Sequence, residues 1–351
     1  MKILYSVQAT GNGHISRAME LMPYLQQYGK VDVFLSGSNS HLQPNLPVKY
    51  RSKGVSLFYG NTGGLDYLRM WKEFSLKRIW KEARELPVEK YDVVLNDFES
   101  ITSLACKLKK VPSVGFGHQA SFRSPHTPRS NKKDMAGELV LKQYATATEY
   151  IGLHFKQYDD FIFSPVIKDE IINAAPVDEG HITVYLSHYS DDVVLDALKK
   201  MKDVRFEVFS KKVIQPVTEG NVTLFPISNK GFTDSLIRSH GVITGAGFET
   251  PAEALYLGKQ LLVLPIRGQY EQLCNAAALK DFNVVVVDKI AEDFSIRVSK
   301  WLAETAVQPL QLSHSTYQVV QLAIEKARAV NREKHSLSEG LLTEEDLLAM
   351  F

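Results

Sequence analysis

The chain has 351 residues, of which 44% are hydrophobic and 23% charged, proportions that are typical of a folded globular protein and argue against disorder. Its formal net charge of +1 provides no general field that would hold nucleic acid, so any anionic ligand must be bound locally. The two cysteines lie in separate predicted helices, which argues against a disulfide framework or a cysteine-based metal site and fits a reducing cytoplasm. The length predicts two domains of about 150 to 180 residues each.

The N-terminus, MKILYSVQATG, lacks the long apolar segment of a signal peptide. No stretch approaches the roughly eighteen uninterrupted apolar residues that a transmembrane helix needs. We therefore expect neither a signal peptide nor a transmembrane helix, and we predict a cytoplasmic protein.

The first half of the chain alternates short β-rich runs with helical patterns. The runs KILYSV, VDVFLSG, YDVVLND and VPSVGFG read as strands, and residues 15 to 27 read as the first helix. In that helix Ala18, Leu21, Met22 and Leu25 have the spacing of one buried face. This alternation predicts βαβ units on a parallel sheet.

A break in the pattern divides the chain. The segment SPVIKDEIINAAPVDEG carries two prolines and several acidic residues, and the alternation restarts with ITVYLS. We predict an N-terminal domain at residues 1–165, a linker at 166–180, a C-terminal domain at 181–330 and a tail at 331–351. Each domain is expected to be an α/β, Rossmann-like unit.

A glycine-rich turn, GNGHISRA, follows the first predicted strand. Gly11 and Gly13 allow a tight strand-to-helix turn and the close approach of a ligand, at an edge where helix N–H groups attract anions. The dinucleotide-binding motif is incomplete, because His14 stands directly after the second glycine. The turn therefore presents a bulky imidazole at its mouth.

Histidine is suited to general-base catalysis when a carboxylate holds its other ring nitrogen. Asp97 follows a strand predicted in the same sheet as His14, so both side chains are expected at its carboxyl edge. The alternative is that His14 caps its own loop and Asp97 begins the next helix.

A second group of candidates lies in residues 241–279, GVITGAGFETPAEALYLGKQLLVLPIRGQYEQLCNAAAL. A buried strand ends at the GAG of 245–247 and leads into a helix whose first position is predicted at Pro251, and such a helix start suits a diphosphate. The alternative is a capping box, in which Thr250 and Glu253 hydrogen-bond the backbone of their own helix.

The segment LPIRGQYEQ follows the next predicted strand and brings Arg267, Gln269, Glu271 and Gln272 to the same edge. A carboxylate beside an amide suits sugar hydroxyls, because the first accepts hydrogen bonds and the second both donates and accepts them. The alternative is an ordinary acidic first turn of a helix.

The 241–279 segment resembles the nucleotide-sugar signature of the GT-B glycosyltransferases, especially the inverting, UDP-sugar-using types related to the MurG-like and UDP-glucuronosyl or glucosyl transferases. The shared features are a glycine-rich turn, a glutamate on the following helix, an acid-glutamine pair and the dipeptide NA. The chain departs from the pattern at Lys259-Gln260, where a proline commonly follows the glycine. The turn GNGHISRA is similar to the same families' N-terminal G-H loop. The resemblance implies a GT-B fold, an α/β architecture of two Rossmann-like domains facing a central cleft.

The resemblance also implies roles for individual residues. His14 would be the base that deprotonates the acceptor, with Asp97 behind it. The turn at 245–250 would surround the diphosphate of the donor, Glu253 would bind its ribose, and Glu271 with Gln272 would bind its sugar. The full set of expected donor contacts is Gly13, Ser187, His188, Gly245, Ala246, Gly247, Phe248, Thr250, Glu253, Gln269, Glu271 and Gln272.

His188 and Tyr189 are bulkier than the residues that usually stand at this place in the family. Two interpretations stay open for them. They either contact the donor or close the interface between the domains.

Two segments are candidates for the acceptor side. Residues 65–86 read as a basic helix with interleaved aromatics, including Trp80; it either lies against an anionic membrane or a lipid-linked acceptor, or is a surface helix with its aromatics in the core. Residues 117–134 read as a mobile polar loop that would face the acceptor, so His118 and Arg123 are the predicted acceptor-binding residues.

We therefore predict a hexosyltransferase that moves a sugar from a UDP-type donor to a hydroxyl acceptor with inversion. The acceptor is expected to be a glycan or a lipid-linked molecule, and neither a metal nor another cofactor is expected, because a helix N-terminus would stabilise the departing diphosphate. One alternative is an enzyme like the UDP-N-acetylglucosamine 2-epimerases, which would use further carboxylates such as Asp97 and Glu99. Another is a non-catalytic protein that binds sugar nucleotides.

Overall fold

The computed structural model describes residues 1–9, 11–37, 45–54, 75–303 and 307–339 of the chain. These residues form two α/β halves, each built on a seven-stranded sheet. The predicted alternation of strands and helices is confirmed in both halves, because each apolar run that was interpreted as a strand lies in one of the two sheets.

The first sheet contains β1 (Lys2–Gln8), β2 (Lys30–Ser36), β3 (Val48–Ser52), β4 (Val93–Asp97), β5 (Val114–Gly117), β6 (Glu149–Leu153) and β7 (Ile162–Phe163). Its described strands are parallel and follow the order β3-β2-β1-β4-β5-β6-β7. The central strands read as continuous apolar runs because helices cover both faces of such a sheet. The strand order reverses between β1 and β4, and crevices at such switch points bind ligands in open α/β sheets.

The second sheet contains β8 (His181–Tyr185), β9 (Arg205–Ser210), β10 (Val217–Glu219), β11 (Val222–Pro226), β12 (Gly241–Thr244), β13 (Gln260–Val263) and β14 (Val285–Val286). Its order is β10-β11-β9-β8-β12-β13-β14, with β10 antiparallel to β11 and the other described pairs parallel. The switch point of this sheet lies between β8 and β12.

The described helices are α1 (Asn12–Gln26), α2 (Leu76–Glu85), α3 (Ser100–Lys109), α4 (Met135–Gln143), α5 (Asp169–Ile172), α6 (Asp191–Leu198), α7 (Asn229–Arg238), α8 (Glu249–Tyr256), α9 (Tyr270–Leu279), α10 (Phe294–Ala303) and α11 (Thr316–Glu339). Short 3-10 turns lie at Val88–Lys90, Gln119–Arg123 and Lys280–Phe282. The predicted apolar face of α1 is buried, and it packs α1 against the first sheet.

The predicted linker, residues 166–180, lies between the last strand of the first sheet and the first strand of the second, and it contains the short helix α5. The long helix α11 then returns to the first half, where it contacts β4, β5, β6 and α1. Its buried residues Val320, Ala323, Ile324 and Ala327 form one stripe on the helix. Residues 316–330 were predicted to belong to the C-terminal domain. In the structure they pack on the first sheet instead.

The predicted basic aromatic helix at residues 65–86 is described only in part. Residues 65–74, with Tyr67, Trp71 and Phe74, lie outside the described residues. In α2 the Ser75 side chain accepts a hydrogen bond from the backbone of Arg78 and so caps the helix. Trp80 is 44% exposed, so at this position the interpretation with the aromatics in the core is wrong, and Ile79 and Ala83 form the buried face instead. The end of the predicted tail, residues 340–351, also lies outside the described part.

Candidate active site

A cavity of about 240 Å³ lies between the two halves. It is bounded by the start of α1 from the first half and by the carboxyl ends of β8 and β12 from the second. The predicted donor-binding residues that line it are Gly13, Ser187, His188, Gly245, Gly247, Phe248, Thr250, Glu253, Gln269 and Gln272. Ala246 is instead fully buried, and its carbonyl oxygen accepts a hydrogen bond from Asn275 Nδ2 at 3.1 Å.

Helix α8 begins at the edge of this cavity, but not in the way that the sequence pattern predicts. The helix starts at Glu249, two residues before Pro251, and its N-cap residue, Phe248, makes no side-chain capping bond. The capping-box alternative for Thr250 and Glu253 is therefore wrong. The helix can begin before Pro251 because the N–H groups of a helix's first turn have no partner within the helix, so a proline there costs no hydrogen bond. The first N–H groups of a helix have no partner within it, and here Glu249 and Thr250 line the cavity.

The Glu253 side chain is fixed by an ion pair. Lys168 Nζ, from the linker, lies 3.1 Å from Glu253 Oε1 and donates a second hydrogen bond to Thr233 Oγ1 at 3.3 Å. Glu253 is 3% exposed, and this burial raises the pKa of its carboxyl group, against the opposing effect of Lys168. Lys168 is not among the predicted site residues, because a lysine in a linker carries no motif.

His14 and Asp97 meet at the switch point of the first sheet. His14 Nδ1 lies 2.9 Å from Asp97 Oδ1, because α1 follows β1 and Asp97 ends the neighbouring strand β4. Asp97 is fully buried and also accepts a hydrogen bond from Tyr5 at 3.3 Å. Burial alone would raise the pKa of Asp97, but Arg17 and His14 outweigh it and lower this pKa to about 2. Asp97 is therefore ionised at neutral pH.

Arg17 is the cation that holds Asp97, and it is not among the predicted site residues. Its guanidinium donates to Asp97 Oδ1 at 2.7 Å and to Oδ2 at 2.9 and 3.1 Å, and its Nη2 lies 3.0 Å from His14 Nδ1. Its Nη1 donates to Glu249 of α8, in the second half. Gly13 permits this approach, since a Cβ there would collide with the Glu249 carboxylate. The spacing of Arg17 three residues after His14, on the same face of α1, is the signal that could have found it.

Gln119 and Glu271 lie on the other side of the His14 ring. Gln119 Nε2 donates to Glu271 Oε1 at 3.0 Å and lies 3.4 Å from His14 Nε2. Glu271 was predicted at the donor sugar, and the structure places it beside the candidate base, whereas its neighbour Gln272 lines the cavity. The predicted base and the predicted sugar-binding carboxylate are thus bridged by a single side chain.

His118 does not face an acceptor site. It is fully buried, with Nδ1 3.0 Å from the carbonyl oxygen of Leu153 and Nε2 2.8 Å from Asn275 Oδ1. Its ring stacks on Phe248 with the centroids 3.9 Å apart, and burial lowers its pKa. Because Asn275 and Phe248 belong to the second half, His118 packs the halves together, and the prediction that it lies in a mobile polar loop is wrong.

Arg123 remains at the surface. Its Nη1 donates to the carbonyl oxygen of Lys142 at 2.6 Å, and its guanidinium lies 4.7 Å from the centre of the Tyr150 ring. It lines a small cavity of about 10 Å³ together with Phe98 and Gln119. Its predicted contact with an acceptor stays a prediction.

His188 lines the cavity with a free ring nitrogen. The residue is 3% exposed, and its Nε2 has no hydrogen-bond partner among the described residues. Burial lowers the pKa of His188 to about 4, so the ring is neutral at physiological pH. Its neighbour Tyr189 receives a hydrogen bond from the backbone of Ile290 at 3.4 Å. Of the two residues, His188 is therefore the one oriented for a ligand.

Comparison with known proteins gives the family. A sequence model described as glycosyl transferase family 1 matches residues 1–304. The chain belongs to glycosyl transferase family 1. No curated protein sequence matches this glycosyltransferase at a significant level.

Solved structures show the fold of this glycosyltransferase. Arabidopsis thaliana UGT89C1 complexed with UDP is 12% identical with a TM-score of 0.55, over 96% of this chain and 99% of that one. LpCGTa in complex with UDP is 13% identical with a TM-score of 0.55, over 93% and 94%. SnogD from Streptomyces nogalater is 12% identical with a TM-score of 0.51, over 93% and 99%. The predicted GT-B fold and the resemblance to GT-B glycosyltransferases are confirmed.

In the part of the chain that the structure describes, no three His, Cys, Asp or Glu side chains are grouped so as to hold a metal ion. No helix among the described residues is long and apolar enough to cross a membrane.

Proposed function

We propose that this glycosyltransferase transfers a hexose from a UDP-type nucleotide sugar to a hydroxyl acceptor, with inversion and without a metal ion. The observation that carries the proposal is the contact of 2.9 Å between His14 Nδ1 and Asp97 Oδ1, at the edge of a cavity that also contains the start of α8. The UDP bound in the UGT89C1 and LpCGTa structures supports a uridine nucleotide.

In the proposed reaction, His14 Nε2 removes the proton of the acceptor hydroxyl while the oxygen attacks the anomeric carbon of the donor. The bond between that carbon and the diphosphate oxygen breaks, and UDP leaves with the bonding electrons. Asp97 is ionised and stabilises the imidazolium that forms. The N–H groups and the dipole at the start of α8 stabilise the negative charge on the departing diphosphate.

The remaining donor contacts follow from the lining of the cavity. Glu253, held by Lys168, would accept hydrogen bonds from the ribose hydroxyls, since a carboxylate has acceptor positions to spare. His188 would offer its free nitrogen to the phosphates. Gln272 would bind the sugar through its amide nitrogen, because its Oε1 already accepts a hydrogen bond from the backbone of Ile266 at 3.0 Å.

A thermal-shift screen tests the donor. We expect UDP and UDP-sugars to stabilise the protein, by about 2.7 kcal/mol when the ligand is present at a hundred times its Kd. Glu253→Gln should weaken this effect, and Glu292→Gln, at an exposed position, is the matched control. If no uridine nucleotide stabilises the wild-type protein, the donor assignment is wrong.

The same protein, incubated with a UDP-sugar and without an acceptor, separates the proposal from an epimerase. Glu99, which the epimerase alternative needs in the cleft, is buried and accepts hydrogen bonds from the backbone of Ile101 and Thr102 at the start of α3. We therefore expect no epimerised product. A non-catalytic binding protein would bind UDP and turn over no acceptor, with or without His14→Ala.

A further inference from the structure

Gln119 occupies a place between the two halves for which the proposed function provides no role. It lies at the start of a 3-10 turn in the first half and is 5% exposed. Its side-chain nitrogen contacts both Glu271 Oε1 and His14 Nε2. We propose that Gln119 is a positioning residue that keeps His14 in the tautomer with an unprotonated Nε2, and that Glu271 fixes Gln119 in the orientation this requires. The inference rests on the proposed function in one respect, the use of His14 as a base.

The orientation of the Gln119 amide follows from its partner. An ionised carboxylate only accepts hydrogen bonds, so the group that lies 3.0 Å from Glu271 Oε1 must be the amide NH₂. The reverse orientation would bring the amide oxygen against a carboxylate oxygen. The nitrogen of Gln119 is therefore also the atom 3.4 Å from His14 Nε2. Because the Gln119 NH₂ group is a hydrogen-bond donor, it favours the His14 tautomer in which Nε2 carries a lone pair and no hydrogen.

The other side of the His14 ring agrees with this assignment. Nδ1 lies 2.9 Å from Asp97 Oδ1 and 3.0 Å from Arg17 Nη2. A neutral imidazole carries one hydrogen, which Nδ1 can donate to Asp97. Arg17 Nη2 does not need the Nδ1 lone pair, because it already donates to both oxygens of Asp97. The opposite tautomer would satisfy Nδ1 through Arg17 but would direct an Nε2–H at the NH₂ of Gln119.

The oxygen of Gln119 gives an independent sign that the residue serves a ligand. Gln119 Oε1 is buried and has no hydrogen-bond partner among the described residues. An unsatisfied buried acceptor costs about 1–3 kcal/mol, and a ligand that donates a hydrogen bond to it would remove this cost. A second hydroxyl of the bound substrate would supply the missing donor, next to the hydroxyl whose proton His14 removes.

Because Glu271 belongs to α9 in the second half and His14 to α1 in the first, the tautomer of the base depends on the contact between the halves. Separation of the halves would remove Glu271 and release the Gln119 amide. The base is thus set for proton removal only when the half that binds the donor is in place.

The state of the His14 ring can be measured directly by 15N NMR of histidine-labelled protein, with the signals assigned by comparison with His14→Ala. We expect Nδ1 protonated and Nε2 unprotonated in the wild type. Gln119→Glu places an acceptor beside Nε2 and should move the proton to Nε2. Gln119→Leu, which avoids a second carboxylate beside Glu271, should give a mixture of the two tautomers. Gln143→Leu, at an exposed position in α4, is the matched control and should leave the spectrum unchanged.

The kinetic consequences follow from the same change. We expect Gln119→Leu to lower kcat by roughly 10- to 100-fold, with the donor KM changed by less than about threefold, because proton transfer and not donor binding is impaired. In Gln119→Glu the acidic limb of the kcat/KM profile should move to higher pH.

The two readouts separate the inference from the function on which it rests. Wild-type protein that turns over no UDP-sugar would overturn the proposed function, and the NMR spectra would still decide the tautomer. A wild-type spectrum with Nε2 protonated, or a Gln119→Leu spectrum identical to that of the wild type, would overturn the inference even in an active enzyme.

Discussion

Asp97 is the residue on which the charges of the candidate site converge, since it receives hydrogen bonds from Tyr5, His14 and Arg17 while fully buried. Asp97→Asn would keep its volume but leave Arg17 with Glu249 as its remaining anionic partner. We expect a loss of about 3 kcal/mol in the free energy of unfolding and a fall of roughly 10²- to 10⁴-fold in kcat. Urea denaturation and steady-state kinetics measure the two effects, and Asp196→Asn, exposed on α6, is the control.

The pH dependence of that stability loss has a definite sign. The pKa of Asp97 is lowered from about 3.9 in an unfolded chain to about 2 in the folded protein. The ionised form therefore stabilises the fold by roughly 2.5 kcal/mol above both values, and this contribution is lost as the pH falls through them. The difference in unfolding free energy between wild type and Asp97→Asn should narrow from about pH 5 toward pH 2. A difference that stays constant over this range would contradict the ion-pair account.

The residues that the sequence predicts correctly are those whose position follows from strand order. The carboxyl ends of β1 and β4 had to be neighbours if both strands belong to one parallel sheet, so His14 and Asp97 were expected together and lie together. Gln119 and Lys168 could not be found in this way. Each lies outside the strands and long helices, in a segment whose position cannot be predicted from the periodicity of its hydrophobic residues.

At the scale of whole elements, the strands could be predicted from the sequence because strands that are buried on both faces are apolar throughout. Helix starts were harder to predict, as α8 shows, because proline is tolerated throughout the first turn of a helix, and α8 begins at Glu249, two residues before Pro251. The position of α11 was not predicted either. An apolar stripe shows that a helix is covered on one side, and it does not show which sheet covers it.

Helix α11 links the end of the described chain to the first sheet, and Ile324 is one of its fully buried contacts with that core. We expect Ile324→Ala to lower the free energy of unfolding by about 2–4 kcal/mol, because it removes apolar contacts and leaves a cavity. Urea denaturation with unchanged m-value measures the loss. Glu325→Ala, at the next and exposed position, should change it by less than about 0.5 kcal/mol. Equal effects of the two changes would show that α11 does not pack as described.

For the molecule as a whole, the fold of each half could be predicted from the sequence. The residues that join the two halves could not. The family signature in residues 241–279 indicated the GT-B architecture, and the solved structures confirm it. The bonds that join the halves, such as those between His118 and Asn275 and between Gln119 and Glu271, depend on the relative orientation of two bodies. No local pattern in either half records that orientation.

Among the described residues, two of the ion pairs that cross between the halves differ in burial. In the pair of Arg17 and Glu249 the side chains are 2% and 18% exposed, whereas in the pair of Lys156 and Asp281 they are 46% and 50% exposed. Exposed pairs contribute only about 0–1 kcal/mol, so the buried pair should hold the halves together. We expect Glu249→Gln to increase the radius of gyration in small-angle X-ray scattering and to lower kcat/KM by roughly tenfold, as the loss of a charged hydrogen bond predicts. Asp281→Asn should change neither quantity. An unchanged scattering profile for Glu249→Gln, or an equal increase for Asp281→Asn, would show that closure does not depend on the buried pair.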